Sequence, residues 1–326
     1  MSNKINVRSP YYVTMTDSPS TLELRIWTGA ESAVPTEATY TLTKDAVGGY
    51  ATFEVAELIR DYIDNTFDGN YDSSLVWVRA NATTPVIAFD GYTSYADGVN
   101  AQGNLKQLIS NTTIWCPDGA DILVPVFAQG ASYNVVFKDA SDATINTVAV
   151  TDQTDTANII QYAASTIGAN NVATVEIGAT TLQVRQMDCS KYDTYKLTFV
   201  NKFGALQDLY FLGKSTESIS VQKDNYKSNV LDIASQSYSS TDHQYRDFDV
   251  KGRQSTTINT GYVSEDYNEP IKQLLLSEKV WMTIGSDVIP VNVKTNSLVM
   301  QTSLNDKLVN YTIDVDFAHD TIQNVR

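Results

Sequence analysis

Reactive side chains are scarce in this 326-residue chain. It has two cysteines, Cys116 and Cys189, and two histidines, His243 and His319. Cysteines so far apart make no disulfide framework and no CxxC metal site. Two separate buried thiols are expected, with a single bridge as the alternative. Neither histidine has partners at ligand spacing, so a zinc or general-base role is not expected. No P-loop, no GxGxxG after a strand, no GxSxG and no HExxH occurs. The residues therefore call for no enzyme activity, no cofactor and no metal.

Positive charge is short as well. Lys and Arg number 23 against 38 Asp and Glu, for a net charge of −15. A non-specific nucleic-acid binder needs cations to neutralise phosphates, so nucleic acid is not an expected partner. A polybasic membrane patch is missing. No apolar run reaches the roughly 18 residues of a membrane span, and the first residues lack the apolar core of a signal peptide. Synthesis and folding in a cytoplasm, without membrane insertion, is the expectation. The acidity suits solubility, or attraction to a basic partner.

What the chain does have is tyrosine (19 residues) and strand patterning. Tyrosine suits strands and contact surfaces, because its ring buries area while its hydroxyl stays wet. Thr21–Trp27 alternates, with Leu22, Leu24 and Ile26 on one face and Glu23, Arg25 and Trp27 on the other. Thr39–Thr43 and Tyr50–Val55 flank Gly48-Gly49 and suggest a hairpin. Val55, Leu58, Ile59, Tyr62 and Ile63 fall at helical spacing. Asp155–Ala164 is a candidate helix with Asp155 or Thr156 as cap. Glu269–Glu278 is another. Pro125 lies inside an otherwise good strand, which argues for an edge or a bulge. Lys279–Ile284, Asp287–Val293 and Tyr311–Phe317 are strands.

The fold class is mainly β: a multidomain arrangement of β-sandwich or barrel-like modules with two or three short helices. A length of 326 residues suits two or three domains. We read them as 1–110, 111–215 and 216–326.

Few groups remain as candidates for chemistry. Glu57, Asp61 and Asp64 cluster beside the short helix, where a solvated helix face is the default. Asp64–Asp72 is acidic and contains glycine, yet lacks the carboxylate spacing and terminal Glu of a calcium loop. The four tryptophans, Trp27, Trp77, Trp115 and Trp281, sit in strands, where core packing is commoner than a carbohydrate platform. Ser235–Arg246 is polar and without periodicity. It reads as an exposed loop or as an arm that orders on a neighbour. Gln236, Tyr238, His243, Tyr245 and Arg246 are its candidate interaction residues.

Three groups of segments carry a resemblance. One comprises Ser9–Val13, Leu22–Gly29, Pro35–Leu42 and Phe53–Tyr62. The second is Leu197–Ala205, which contains an N-[RK]-[FW]-G turn at Asn201–Gly204. The third comprises Leu274–Val280, Ile289–Val293 and Asn305–Ile313. Together they resemble a family of virion structural proteins of tailed bacteriophages, of the marine and Bacteroidetes-phage type. The resemblance implies a virion location, tail tip or baseplate before capsid, in a protein made in the host cytoplasm. It implies as partners other copies of the chain and other virion proteins, and it carries over no binding residue. A capsid decoration or head-fibre protein is one alternative. An adhesin that binds a host-surface glycan is another.

Overall fold

In a computed structural model the chain is mainly β, as expected. The structure describes residues 4–101, 106–155, 160–166, 172–187, 191–300 and 309–322.

The N-terminal part contains a five-stranded sheet. Its order is Lys4–Asn6, Val86–Phe89, Val76–Ala80, Ser20–Trp27 and Tyr40–Lys44. The alternation read from Thr21–Trp27 holds, with Leu22 and Leu24 wholly buried and Glu23 exposed. A pair of strands, Tyr12–Met15 and Ala51–Glu54, contributes to the same core: Phe53 and Val55 cluster with Leu22, Leu24 and Ile26. Burying each such side chain is worth roughly 1.5–3 kcal/mol.

This layering corrects the hairpin expected around Gly48-Gly49. The turn is there, closed by a bridge between Val47 and Tyr50. The flanking strands, however, do not pair with each other. Tyr40–Lys44 pairs with Ser20–Trp27, which sets Leu42 opposite Leu22, and Ala51–Glu54 pairs with Tyr12–Met15. The chain turns the corner from one layer to the next, so each strand meets a more apolar partner than its sequence neighbour.

The middle part is sandwich-like. One sheet runs Thr113–Pro117, Thr180–Met187, Thr174–Ile177, Tyr133–Lys138, Thr144–Val150. Asp121–Val126 and Gln161–Thr166 form a second, two-stranded sheet, and Ile122, Val124 and Ala163 share a core with Val135, Phe137 and Val175. The helix expected over Asp155–Ala164 is therefore a correction: residues 161–164 are strand, and 156–159 lie outside the described residues. Short helices are marginal alone, and here the open edge of Asp121–Val126 offers a full ladder instead. Pro125 lies in that two-stranded sheet; on its other side the only pairing among the described residues is an isolated bridge at Gln107, with Leu108 N donating to Pro125 O at 3.0 Å, so the missing N–H interrupts no strand ladder there.

The last part is a seven-stranded sheet. Its order is Leu206–Phe211, Tyr195–Val200, Val280–Ile284, Asp287–Val293, Val309–Phe317, Tyr245–Val263 and Thr216–Lys227. The first two of these strands precede residue 216, yet Leu197 pairs with Met282 in this sheet. In Val309–Phe317 the odd-numbered residues are buried and Thr312 and Asp314 face out. The helix Asn268–Leu275 supplies Ile271 and Leu274 to the same core. It and Ala56–Arg60 are the two α-helices among the described residues. None of the sheets closes into a barrel among them, and no helix is long and apolar enough to cross a membrane.

The three regions meet at the turn Asn201–Ala205. Asn201 is wholly buried, and its Oδ1 accepts hydrogen bonds from Phe203 N (2.9 Å) and Ala205 N (3.2 Å). Its Nδ2 donates to Leu108 O (2.8 Å) and to Gln207 Oε1 (3.0 Å). Gly204 has φ +82°, and a Cβ there would lie 2.7 Å from Asp90 N. Only glycine permits both the conformation and the approach. Beneath the turn, the fully buried Lys4 donates to Phe203 O (3.4 Å), with its Nζ 4.2 Å from the centre of the Phe89 ring. Burial pulls its pKa down to about 7. The N-[RK]-[FW]-G segment is thus a structural joint that satisfies buried polar groups from distant parts of the chain.

Candidate functional site

The feature that stands apart from the packed body is a long hairpin. Thr216–Lys227 and Tyr245–Val263 pair antiparallel from Thr216–Thr257 out to Lys227–Tyr245. The inner half of Tyr245–Val263 also pairs with Val309–Phe317, as far as Ser255 opposite Asp316. One further contact, Thr321 N to Gly252 O at 2.8 Å, lies just beyond. From Lys251 outward, Thr216–Lys227 is the sole strand partner of Tyr245–Val263 among the described residues. Seven residues, Tyr245–Lys251, therefore extend the ladder by roughly 24 Å past its support, and residues 228–244 form the tip.

The free ribbon is held by contacts across its own two strands. Tyr226 and Phe248 meet edge to face with ring centres 5.8 Å apart. Lys223 pairs across the ribbon with Asp247 at 2.9 Å, while Lys251 and Asp249, two apart on one strand, pair at 2.8 Å beside the bulge. These ion pairs are solvent-exposed and contribute little. The register shifts between Gln222 and Asp224, where Asp249 adopts φ +47°. Such a bulge raises the local twist of the ribbon. At the tip, Asp232 accepts from Ala234 N (3.0 Å) and Ser235 Oγ (2.7 Å), and these bonds hold its carboxyl below the usual range.

Most informative is what the hairpin leaves in water. Every residue of Thr216–Lys227 is exposed. Ile219, Tyr226, Phe248, Tyr245, Tyr238 and Ile233 expose between 48% and 80% of their surface. Its charge is also unlike that of the body. Over residues 216–254, five cations (Lys223, Lys227, Arg246, Lys251, Arg253) nearly balance six anions (Glu217, Asp224, Asp232, Asp242, Asp247, Asp249). The hairpin is close to neutral in a chain of charge −15. Apolar exposure without strong charge is the composition of a contact surface.

The sequence-derived residues divide between tip and ribbon. Gln236 sits in the tip turn with φ +51°, beside the bridge between Asp232 and Ser237. Tyr238 and His243 are exposed on the same tip. Tyr238, Lys227, Asp242 and Gln244 line a cavity of about 710 Å³ there. Tyr245 and Arg246 belong to the ribbon, opposite Lys227 and Tyr226, and as neighbours on a strand they face opposite sides. The structure thus brings the five residues to one projection without packing them together. Ile219, Val221, Tyr226 and Phe248 lie on the same projection outside Gln236–Arg246. Ile219 and Val221 carry a period-two signal, diluted by serine and glutamine.

The remaining candidates are placed elsewhere. Asp64 pairs with Lys279 at 2.6 Å and tethers the turn after the first helix. Asp64–Asp72 is mostly a tight hairpin, Asn65–Phe67 with Tyr71–Ser73. Tyr71 donates to Asp208, which also accepts from Thr198 (2.6 Å) and lies 3.7 Å from Lys196. Burial and the Asp208 charge push the Tyr71 hydroxyl far above its ordinary pKa, so it stays a proton donor in this joint. His319 stacks its edge on Phe317 at 5.8 Å. Among the described residues, no group of three or more His, Cys, Asp or Glu is placed to hold a metal. Cys116 is a buried free thiol whose pKa burial pushes up to about 12; Cys189 lies outside the described residues. Trp27 and Trp77 are buried, with indole N–H groups bonded to Ala30 O and Gly29 O at 3.0 Å. Trp115 and Trp281 are half-buried against the cores. No family model matches the chain, and no curated protein matches it either.

Proposed function

We propose that this chain is a structural subunit of a bacteriophage virion, of the tail-tip or baseplate kind, that self-associates and docks on other virion proteins through the projecting hairpin. The observation that carries the reading is the hairpin itself. It extends beyond its sheet, exposes aromatic and aliphatic side chains, and is nearly neutral. A free-standing ribbon of this kind gains little from folding alone, and exposed apolar groups on it gain free energy only on a partner. The phage assignment comes from the segment resemblance, and the mainly β body agrees with it.

The glycan-binding alternative has less support, because none of the four tryptophans stands free as a stacking platform. Capsid decoration would use the same hairpin on a different lattice. Antibody-gold labelling of phage particles that carry the protein separates the two. Label at the distal tail is expected, and label over the capsid overturns the tail reading. Replacing residues 228–244 by a short turn is expected to block incorporation into particles; normal incorporation would exclude the hairpin tip as the docking element.

A further inference from the structure

The base of the hairpin carries a second, separate signal. Thr216–Lys227 is the last strand of the seven-stranded sheet, and its outer edge has no strand beside it among the described residues. Such an edge is a template for another strand unless proline, bulges or inward charges blunt it. This strand contains no proline. The extra residue of its bulge lies on the opposite strand, in the segment between Phe248 and Lys251.

Laid antiparallel against itself about Ser220, the strand is self-complementary. Ile219 falls opposite Val221 of a second copy, and Val221 opposite Ile219. Glu217 falls opposite Lys223, again twice. Ser218 meets Gln222, and Thr216 meets Asp224. Other registers lose this match. One slip sets Glu217 against Asp224; another sets Ile219 against Lys223; a third sets Glu217 against Val221. Cross-strand pairing of apolar with apolar and of opposite charges stabilises a ladder, while like charges oppose it. Ile219 and Val221 are 57% and 47% exposed, so the match has apolar surface to bury. Val221 lies opposite Gly252 on the adjoining strand, and the Ile219 side chain leans over that glycine, its Cδ1 3.5 Å from where a Cβ would stand. The near neutrality of the hairpin also lets two chains of charge −15 meet where repulsion is least.

We propose that two copies of this chain join edge to edge along Thr216–Asp224, about a twofold axis at Ser220, so that two seven-stranded sheets become continuous. The pairing is isologous, each copy giving and receiving the same contacts. It rests on the reading of the hairpin as an assembly element, and assigns the partner of its base rather than of its tip.

Single cysteines test the register directly, in a Cys189→Ser background that keeps the buried Cys116. Under mild oxidation Ser220→Cys is expected to give a disulfide-linked dimer. Ser218→Cys and Gln222→Cys are each expected to give none alone, and to cross-link when mixed. Failure of Ser220→Cys to cross-link, or equal cross-linking by all three single variants, overturns the proposal. A charge test needs no cysteine. Glu217→Lys or Lys223→Glu should weaken the dimer about tenfold in sedimentation equilibrium, and the double exchange should restore it. Insensitivity to both single changes overturns the register. The outcome is separable from the function proposed above. A dimer without tail label would fail that reading alone; tail label with no edge pairing would fail this one alone.

Discussion

Leu197 and Phe199, at one end of the seven-stranded sheet, are wholly buried, whereas Ile219 and Val221, at the other, are about half exposed. The two ends share one hydrogen-bonded ladder order and the same two-residue period. They differ in what covers them. Tyr195–Val200 and Leu206–Phe211 are buried almost throughout, against the middle region and the cores that converge on Asn201. Thr216–Lys227 has, among the described residues, one strand neighbour and no buried residue. Coverage, more than strand sequence, separates a structural end from a contact end, because a ladder stabilises a ribbon only modestly until a face is packed.

The sharpest way to break this comparison is to truncate one aromatic at each end. Phe199→Ala should lower stability by about 3–5 kcal/mol in urea unfolding, since it opens a cavity in a closed core. An equal loss from Phe248→Ala would mean that the hairpin is covered in the isolated chain and would end the distinction. Next in size is Lys4→Met, which removes an amine bonded to Phe203 O and, among the described residues, in no ion pair. Its folded pKa of about 7 lies below the ordinary 10.5, so between those values the unfolded chain binds more protons. Wild-type stability should therefore rise as pH climbs from about 7 to 10.5, and the cost should stay constant below 7. The variant should lack this slope and gain on the order of 3 kcal/mol near neutral pH. A flat wild-type profile would show that Lys4 keeps its charge when folded.

Asn201→Ala tests whether the covered end depends on its joint. Four hydrogen bonds are lost and buried partners remain, so a loss of about 2–3 kcal/mol is expected, read in the same melts. The smallest effect belongs to the free end. Tyr226→Ala and Phe248→Ala should each change stability by less than about 1 kcal/mol while weakening association. Hydrogen exchange sharpens the contrast: amides of Tyr245–Lys251 should exchange far faster than those of Leu197–Val200.

The packed body was more legible in sequence than the hairpin. Alternation in Leu22–Ile26 and Tyr311–Phe317 marked strands locally, and the helix read over Glu269–Glu278 is found at Asn268–Leu275. Partners were not legible. Nothing near Gly48-Gly49 says that its flanking strands choose different layers, and Gln161–Ala164 resembles a helix until Asp121–Val126 is placed beside it. The joint at Asn201 could be seen as a motif, but its role depends on Leu108 and Gln207, which only the fold brings within reach. The hairpin was legible at its tip, through polar composition. Its ribbon was not, because strands without a buried face carry weak periodicity.

Tyr245–Val263 runs unbroken from the exposed tip to Ile258 and Val263 in the core. Tension applied at the tip along this strand would load its bonds to Val309–Phe317 in shear, many at once, instead of peeling them one at a time. The hairpin is therefore coupled as a lever to the sheet, and a pull on a docked neighbour would be borne by the ladder it shares with Val309–Phe317.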